Sequence, residues 1–505
     1  MQPIFQPLHP VPDVVAALRR FQNRPGCLLL DSSLSSQTTS GQSLGRYSFL
    51  MADPVEWIEV PVGSPQPLGR LREILQAFRL DPLPELPPMQ GGVAGMFGYD
   101  LNQSFEKIHP VGNDPFRIPA VAFGCYDVVV AWDHFQKQAW VISTGIPETE
   151  QGPRLQRARA RLEEVRSWLH DPVDVLFVPL GRGESAVAEL TLPNRVPVGQ
   201  FPGLTSDFSA QDYVQAVQRC IDYIRAGDAF QINLAQQLLY PASCPAVDLY
   251  EILRRSNPAP FAGYFDTAGM VGQSIPKEGG RGFQVISSSP ERLVAVRDRV
   301  AETRPIKGTR RRTGNPVVDI YHQQGLLGSE KERAENVMIV DLMRNDFSRC
   351  CTDDSVVVTQ LCELEQYPNV MHLVSAVQGK LQPEADLVSL VEAIFPGGSV
   401  TGAPKVRAME IIAELERNLR GAYCGSLGYL AFNGEADLNI LIRTVTAVGG
   451  WWQIPVGGGI VSQSNPPDEY NETWTKAAGM LKGIASLSLG EKKPVGGSEL
   501  KPIRR

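Results

Sequence analysis

Ser426-Leu427-Gly428-Tyr429-Leu430-Ala431-Phe432, the run from Leu438 to Val448, and Trp451-Trp452-Gln453-Ile454-Pro455-Val456 are three apolar stretches. Asn433-Gly434 and Gly449-Gly450 supply the turn chemistry between them. Links this short join antiparallel neighbours, so the three runs predict an antiparallel meander. Gly457-Gly458-Gly459 comes next, where backbone amides can approach an anion or the chain can simply bend. Upstream, Ala229 to Leu238 alternates as a strand, with Phe230, Ile232 and Leu234 on one face and Gln231 and Asn233 on the other. Amides opposite an apolar face fit either a polar cavity or solvent.

Helices are predicted between these strands. Ser209-Ala210-Gln211-Asp212 opens one like a capping box, Val214, Val217, Ile221 and Ile224 continue it at helical spacing, and Gly227 ends it. A second is expected from Ser329 to Arg344, with Glu332 and Glu335 on one side. Thr401-Gly402-Ala403-Pro404-Lys405 leads into a third, Val406 to Leu415, whose N-terminus suits a carboxylate. In the first 145 residues, Cys27 to Leu30, Tyr47 to Leu50 and Val121 through Trp132 read as strands. The expected organisation is an N-terminal subdomain over 1–145, a connector over 146–205 with a helix from Arg154 to Leu169, a catalytic region over 206–489, and a polar tail over 490–505. Gly272 to Gly282 reads as a loop inserted between strands.

Composition narrows the class. With 505 residues, two domains or one large one are expected. A 43% hydrophobic and 20% charged content suits a soluble enzyme, and a net charge of -7 argues against nucleic acid as a partner. No apolar run reaches membrane-spanning length, and Met1 to Val14 does not read as a secretory signal. The eight cysteines form no CxxC pair, which points to reduced thiols in a cytoplasmic protein and makes zinc improbable. A hard cation on carboxylates is the metal expected.

Lys307 stands in Arg304-Pro305-Ile306-Lys307-Gly308-Thr309-Arg310-Arg311-Arg312. Like charge from those arginines is expected to push its amine towards neutrality, making it a nucleophile. The residue types alone also fit a solvated basic loop or an anion grip.

The wording of several segments together resembles the chorismate-utilising enzymes: anthranilate synthase large subunits, aminodeoxychorismate synthase component I, and isochorismate and salicylate synthases. The segments are Gly227 to Leu234, Ser288-Ser289-Pro290-Glu291-Arg292-Leu293, Pro305 to Arg312, Ala334 to Leu342, His372-Leu373-Val374-Ser375, Pro396-Gly397-Gly398, Thr401 to Lys405, Ile442-Arg443-Thr444, Gly457 to Ile460 and Glu469 to Thr473, with weaker marks at Gly45 to Ser48, Gly91-Gly92 and Gly98-Tyr99-Asp100. The resemblance implies an α/β (α+β) fold, in which two face-packed antiparallel sheets carry helices outside and the site lies in a cleft. Lysine at 307 matches the aminodeoxychorismate synthase branch, where anthranilate synthases usually have alanine. Gln231 stands where isochorismate and salicylate synthases place a lysine base, and glutamine is no base near neutral pH.

The resemblance also implies roles for individual residues. In it, Lys307 attacks C2 of chorismate, Glu291 protonates the departing C4 hydroxyl, and ammonia from a separate glutamine amidotransferase then enters at C4, a step towards para-aminobenzoate and folate. Glu335 and Glu472 hold Mg2+, with Glu332 and Glu469 in support. Arg443, Lys476 and the Gly457, Gly458 and Gly459 amides take the pyruvyl carboxylate, and Thr309, His372, Thr401 and Gly402 complete the substrate contacts. His372 matches a histidine tied to pyruvate elimination in anthranilate synthases. Asp31, Ser32, Arg46 and Tyr47 resemble a tryptophan pocket, with aspartate where glutamate is usual; a regulatory ligand, a structural ligand and none are all compatible with it. The alternatives are an anthranilate synthase large subunit and a non-catalytic subunit that binds chorismate or tryptophan.

Overall fold

The computed structural model describes residues 2–34, 36–37, 43–108, 112–172, 192, 195–199, 201–270, 282–367 and 370–488. The expected tail over 490–505, much of the connector, and all but Gly282 of the expected inserted loop lie outside the described residues.

Alternation of apolar side chains sorts the chain into layers. In Val128–Asp133, Val128, Val130 and Trp132 pack with helices Val14–Phe21, Gln151–Trp168, Ala246–Ser256 and Pro466–Ser488, while Val129 and Ala131 turn the other way. They meet Ala94, Met96, Ala122 and Tyr429 of a second sheet. That sheet's opposite face, including Val121, Phe123 and Cys125, packs under helices Gly69–Ala77, Glu330–Ser348 and Leu387–Ile394. Two sheets therefore lie face to face with helices outside, the architecture expected.

Among the described residues the first sheet has 13 strands, in the order Ile4–Pro7, Gln138–Ser143, Val128–Asp133, Tyr47–Met51, Leu28–Asp31, Phe261–Asp266, Phe283–Ser289, Thr444–Val448, Trp451–Ile460, Gln231–Pro241, Thr205–Ser206 and Val196–Pro197, with Gly402–Ala403 added beside Gln231–Pro241. The second has 10, in the order Ile306–Arg311, Val370–Lys380, Val300–Thr303, Arg292–Arg297, Ala436–Asn439, Ser426–Ala431, Gly92–Phe97, Val121–Tyr126 and Glu56–Val60, with Val357–Gln366 beside Val370–Lys380. Strands from before residue 145 and after residue 206 share both sheets. No helix among the described residues is long and apolar enough to cross a membrane.

The predicted meander is corrected in one respect. Ser426–Ala431 does pair with Ala436–Asn439, and Thr444–Val448 with Trp451–Ile460. The apolar run Leu438 to Val448 is nonetheless two strands in different sheets, because the chain crosses between layers over 440–443. Ile440 and Leu441 are buried at the crossing, so hydrophobicity is unbroken, and Arg443 takes a left-handed φ of 51°. Val121 through Trp132 is split in the same way at Asp127, a buried carboxylate paired with Arg161.

Candidate active site

A third crossing occurs at Pro290-Glu291, between Phe283–Ser289 in the first sheet and Arg292–Arg297 in the second. It is stitched to the crossing at 440–443. Ser289 Oγ donates to the Ile440 carbonyl at 2.6 Å, Ile440 N–H to the Glu291 carbonyl at 3.0 Å, and Ser288 N–H to the Arg443 carbonyl at 3.2 Å. Glu291 and Arg443 thus sit together at the seam where two neighbouring strands change layers, close enough for their charges to act on each other. The other walls are Ile306–Arg311 carrying Lys307, Val370–Lys380 carrying His372, Gln231–Pro241, Trp451–Ile460, and the helices that bear Glu335, Glu472 and Lys476.

Lys307 is at the centre. Its Nζ lies 3.5 Å from the Ser399 carbonyl. Burial holds its pKa below the ordinary lysine value; Glu335 and Glu291 pull it back up, and Lys476 pushes it down. The direction is the one expected, but its cause is corrected. Three of the four neighbouring arginines are spent elsewhere: Arg304 on Glu365, Arg310 on Glu332 at 2.8 Å, and Arg312 on Asp319 at 3.4 Å and the Tyr367 carbonyl at 3.1 Å, while Arg311 is exposed.

Glu291 is buried, and its Oε1 has no hydrogen-bond partner among the described residues. Burial raises its pKa, against the lowering influence of Ser399, Lys307 and Arg443. Arg292, a competing partner on sequence grounds, instead grips Asp437 at 2.9 Å through two nitrogens. His372 is buried, and burial followed by Arg443 lowers its pKa to about 4, so its ring is neutral near pH 7. The Thr309 hydroxyl lies 2.9 Å from His372 Nδ1.

Gln231 is inaccessible to solvent, yet neither its Oε1 nor its Nε2 has a partner among the described residues; Asn233 Oδ1 is likewise unmatched. The amide face is therefore buried rather than solvated. An unpaired buried amide is costly, so a polar group brought within reach of these atoms would be favoured. Gly457, Gly458 and Gly459 form extended strand paired with Ala235, Leu234 and Asn233 rather than a bend. Crowding disfavours a side chain there: a Cβ on Gly459 would lie 2.7 Å from Gln231 Nε2, and one on Gly457 would lie 2.4 Å from the Leu234 carbonyl oxygen. Thr401 is fully buried, its carbonyl accepts the Asn233 N–H at 2.8 Å, and Gly402 has a φ of 147° against the Gln231 backbone.

Carboxylates gather on the helical side. Burial raises the pKa of Glu335 and of Glu469. For Glu472 burial acts upward too but is outweighed, first by Lys476, whose Nζ is 2.7 Å away, and the net shift is down. Lys476 Nζ also donates to the Gly457 carbonyl at 2.9 Å. A Cβ at Gly458 would lie 3.5 Å from Glu472 Oε1 and 3.6 Å from Glu469 Oε2, so both acids face this strand. No trio of acidic, histidine or cysteine side chains is arranged to hold a metal alone among the described residues. The hard oxygen donors of Glu335 and Glu472 do suit Mg2+ bound by few carboxylates and completed by substrate oxygens and water.

Two site residues escape sequence analysis. Ser399 contributes the carbonyl facing Lys307 and a buried hydroxyl close enough to Glu291 to lower its pKa. Lys331 lies 3.9 Å from both Glu335 and Glu469. Ser399 adjoins Pro396-Gly397-Gly398, so its position carries a signal; Lys331 in a charged helix carries none.

The N-terminal candidates line a separate cavity of about 470 Å3, together with Phe261, Arg292 and Arg297. Asp31 is committed inside the fold, accepting from Tyr250 Oη and Arg254 Nε at 2.7 Å each and from Ser48 Oγ at 3.0 Å. Ser32 Oγ donates to the Tyr47 carbonyl at 2.6 Å, and Arg46 pairs with Asp133 at 2.6 Å above the Tyr47 ring.

Residues 29–482 match the chorismate binding enzyme family. The chain is 35% identical over 486 residues to anthranilate synthase component 1 of Mycolicibacterium smegmatis, covering 92% of this chain and 87% of that protein. It is 34% identical over 463 residues to aminodeoxychorismate synthase component 1 of Bacillus subtilis, covering 89% and 91%. Its fold is similar to the crystal structure of anthranilate synthase component I from Streptococcus pneumoniae, with a TM-score of 0.69 and 30% identity over 86% of this chain and 92% of that one. Aligned almost end to end with these proteins, the chain belongs to the chorismate binding enzyme family.

Proposed function

We propose that this enzyme aminates chorismate at C4, giving 4-amino-4-deoxychorismate through a covalent bond to Lys307. The observation that carries the reading is a lysine amine and a buried glutamate close enough for their charges to act on each other, burial lowering the pKa of the first and raising that of the second. The Lys307 nitrogen pair attacks C2, both conjugated ring double bonds shift by one position, and the C4–O bond breaks as Glu291 gives its proton to the departing hydroxyl, which leaves as water. Ammonia then attacks C4, both double bonds shift back, and the C2–Nζ bond breaks to free the lysine. The excess proton on the new amine returns to the Glu291 carboxylate.

The remaining side chains have roles consistent with these steps. Arg443 lies near Glu291 but forms no ion pair among the described residues and, with Lys476, suits a substrate carboxylate. Gln231 offers an amide where a base would be needed to activate water, so its chemistry favours ammonia. Mg2+ on Glu335 and Glu472 would neutralise the ring carboxylate. Among the described residues every cysteine except Cys244 is buried, and burial raises the pKa of the Cys244 thiol to about 12, which does not suit a glutaminase nucleophile. A glutamine amidotransferase partner is therefore the ammonia source we assign.

Ortho amination with loss of pyruvate is the second reading, favoured by the relatives named anthranilate synthase component 1 and by a neutral His372 in the site. Incubating the protein with chorismate, Mg2+ and ammonium and identifying the product by chromatography and mass spectrometry decides between them. We expect the para isomer with its enolpyruvyl ether intact; anthranilate plus pyruvate would overturn the assignment.

A further inference from the structure

Arg420 and Glu416 touch none of the groups assigned a role above, yet they bond to two of the segments that flank the site. Both are buried. Arg420 Nε donates to Glu416 Oε2 at 2.9 Å, and Nη2 donates to Glu416 Oε1 at 2.7 Å. The rest of the guanidinium is spent on main chain. Nη1 donates to the Val400 carbonyl at 2.9 Å and Nη2 to the Asn233 carbonyl at 2.7 Å. Glu416 Oε1 in turn accepts the Ala235 N–H at 2.9 Å. Val400 lies between Ser399, whose carbonyl faces Lys307, and Thr401, whose carbonyl is bonded by Asn233 N–H. Asn233 and Ala235 belong to the strand that presents Gln231 and pairs with Gly457 to Gly459. The guanidinium lies over the Tyr99 ring at 4.4 Å, and Asp100 beside that ring accepts the Gly421 N–H at 2.8 Å. These contacts give the Gly98-Tyr99-Asp100 motif a physical purpose: it forms the floor on which the arginine rests.

We propose that Glu416–Arg420 is a positioning pair, fixing the 397–402 loop against the strand of Gln231 and thereby setting the distance between the Ser399 carbonyl, Lys307 and Glu291. This rests on the reading of Lys307 and Glu291 as the reacting groups. A planar fork can bond two carbonyls and a carboxylate at once, and a lysine ammonium cannot hold the same geometry. Arg443 and Lys476, assigned to the substrate carboxylate, are on other elements, so substrate affinity should suffer less than turnover.

The test is Arg420→Lys, which keeps a cation beside Glu416, read by steady-state chorismate consumption and by amide hydrogen exchange without substrate. The expected result is a loss of about ten- to a hundredfold in kcat with chorismate KM within about threefold. Faster exchange should be confined to peptides covering 396–402 and 231–235. Unchanged kcat in a folded variant overturns the proposal. So does exchange that rises across both sheets with kcat reduced only in proportion to the folded fraction. If Arg420→Lys does not fold, Glu416→Asp, which keeps the charge pair and withdraws it by one methylene, is read by the same criteria. The exchange result does not depend on which isomer is made, so failure of the amination reading and failure of this one are separable.

Discussion

Lys307 and Glu291 make opposite demands on pH. The amine must be uncharged to attack, and the carboxyl must carry a proton to give away. Burial moves the first pKa down and the second up, which brings both groups towards the useful form at one pH. Chorismate consumption should therefore rise with pH as the lysine deprotonates and fall as the glutamate ionises, a bell whose limbs belong to the coupled cluster. Glu291→Gln should slow the reaction by about a hundredfold and abolish the falling limb, with thermal stability maintained. A falling limb that survives in this variant would take Glu291 out of the acid role. The identity of both groups is legible in the motifs around them, but the source of their tuning is not. Three of the four arginines around Lys307 pair with Glu365, Glu332 and Asp319, partners that lie 7 to 61 positions away along the chain.

Among the strands, the glycine run beside Gln231 allows a graded prediction. In Gly459→Ala the new methyl meets the amide end of the Gln231 side chain, whereas in Gly457→Ala it meets the Leu234 carbonyl and the Ala235 backbone. Gly457→Ala should cost about 1–3 kcal/mol of stability by urea titration, because backbone must move. Gly459→Ala should unfold nearly as the parent does but lose turnover as Gln231 is displaced. Equal stability losses in the two variants would refute this ordering. Helix starts are legible from local chemistry: Ser209 and Ser329 do accept from the N–H of Asp212 and Glu332, and Gly227 does close its helix with a φ of 90°. The layer crossings at Asp127 and over 440–443 are not. Apolar residues continue through them because both layers bury them, so periodicity has no break to register.

Over the chain as a whole, strands from both ends interleave in both sheets, so neither half owns a complete sheet. Urea unfolding followed by far-ultraviolet circular dichroism and by tryptophan fluorescence should give coincident transitions; two separated steps would be incompatible with shared sheets. Asp100 adds a pH dependence. Burial, opposed by the Gly421 N–H, raises its carboxyl to about 7. An unfolded aspartate has a pKa of about 3.9, so between these values the folded state holds the extra proton, and stability falls as pH rises through that window. Asp100→Asn keeps an acceptor for the Gly421 N–H and should remove part of this decline, leaving the protein about 1–2 kcal/mol more stable than the parent at pH 8. A decline as steep as the parent's would exclude Asp100 as its source.

The proposed chemistry requires a bond between Lys307 and the substrate ring before nitrogen arrives. Acid-quenched turnover with chorismate, Mg2+ and limiting ammonium, followed by peptide mass spectrometry, looks for that bond itself. We expect an added mass of chorismate less water on the peptide containing Lys307, and no such mass or para product in Lys307→Ala. An unmodified Lys307 peptide throughout turnover, with undiminished para product from Lys307→Ala, would refute the covalent route.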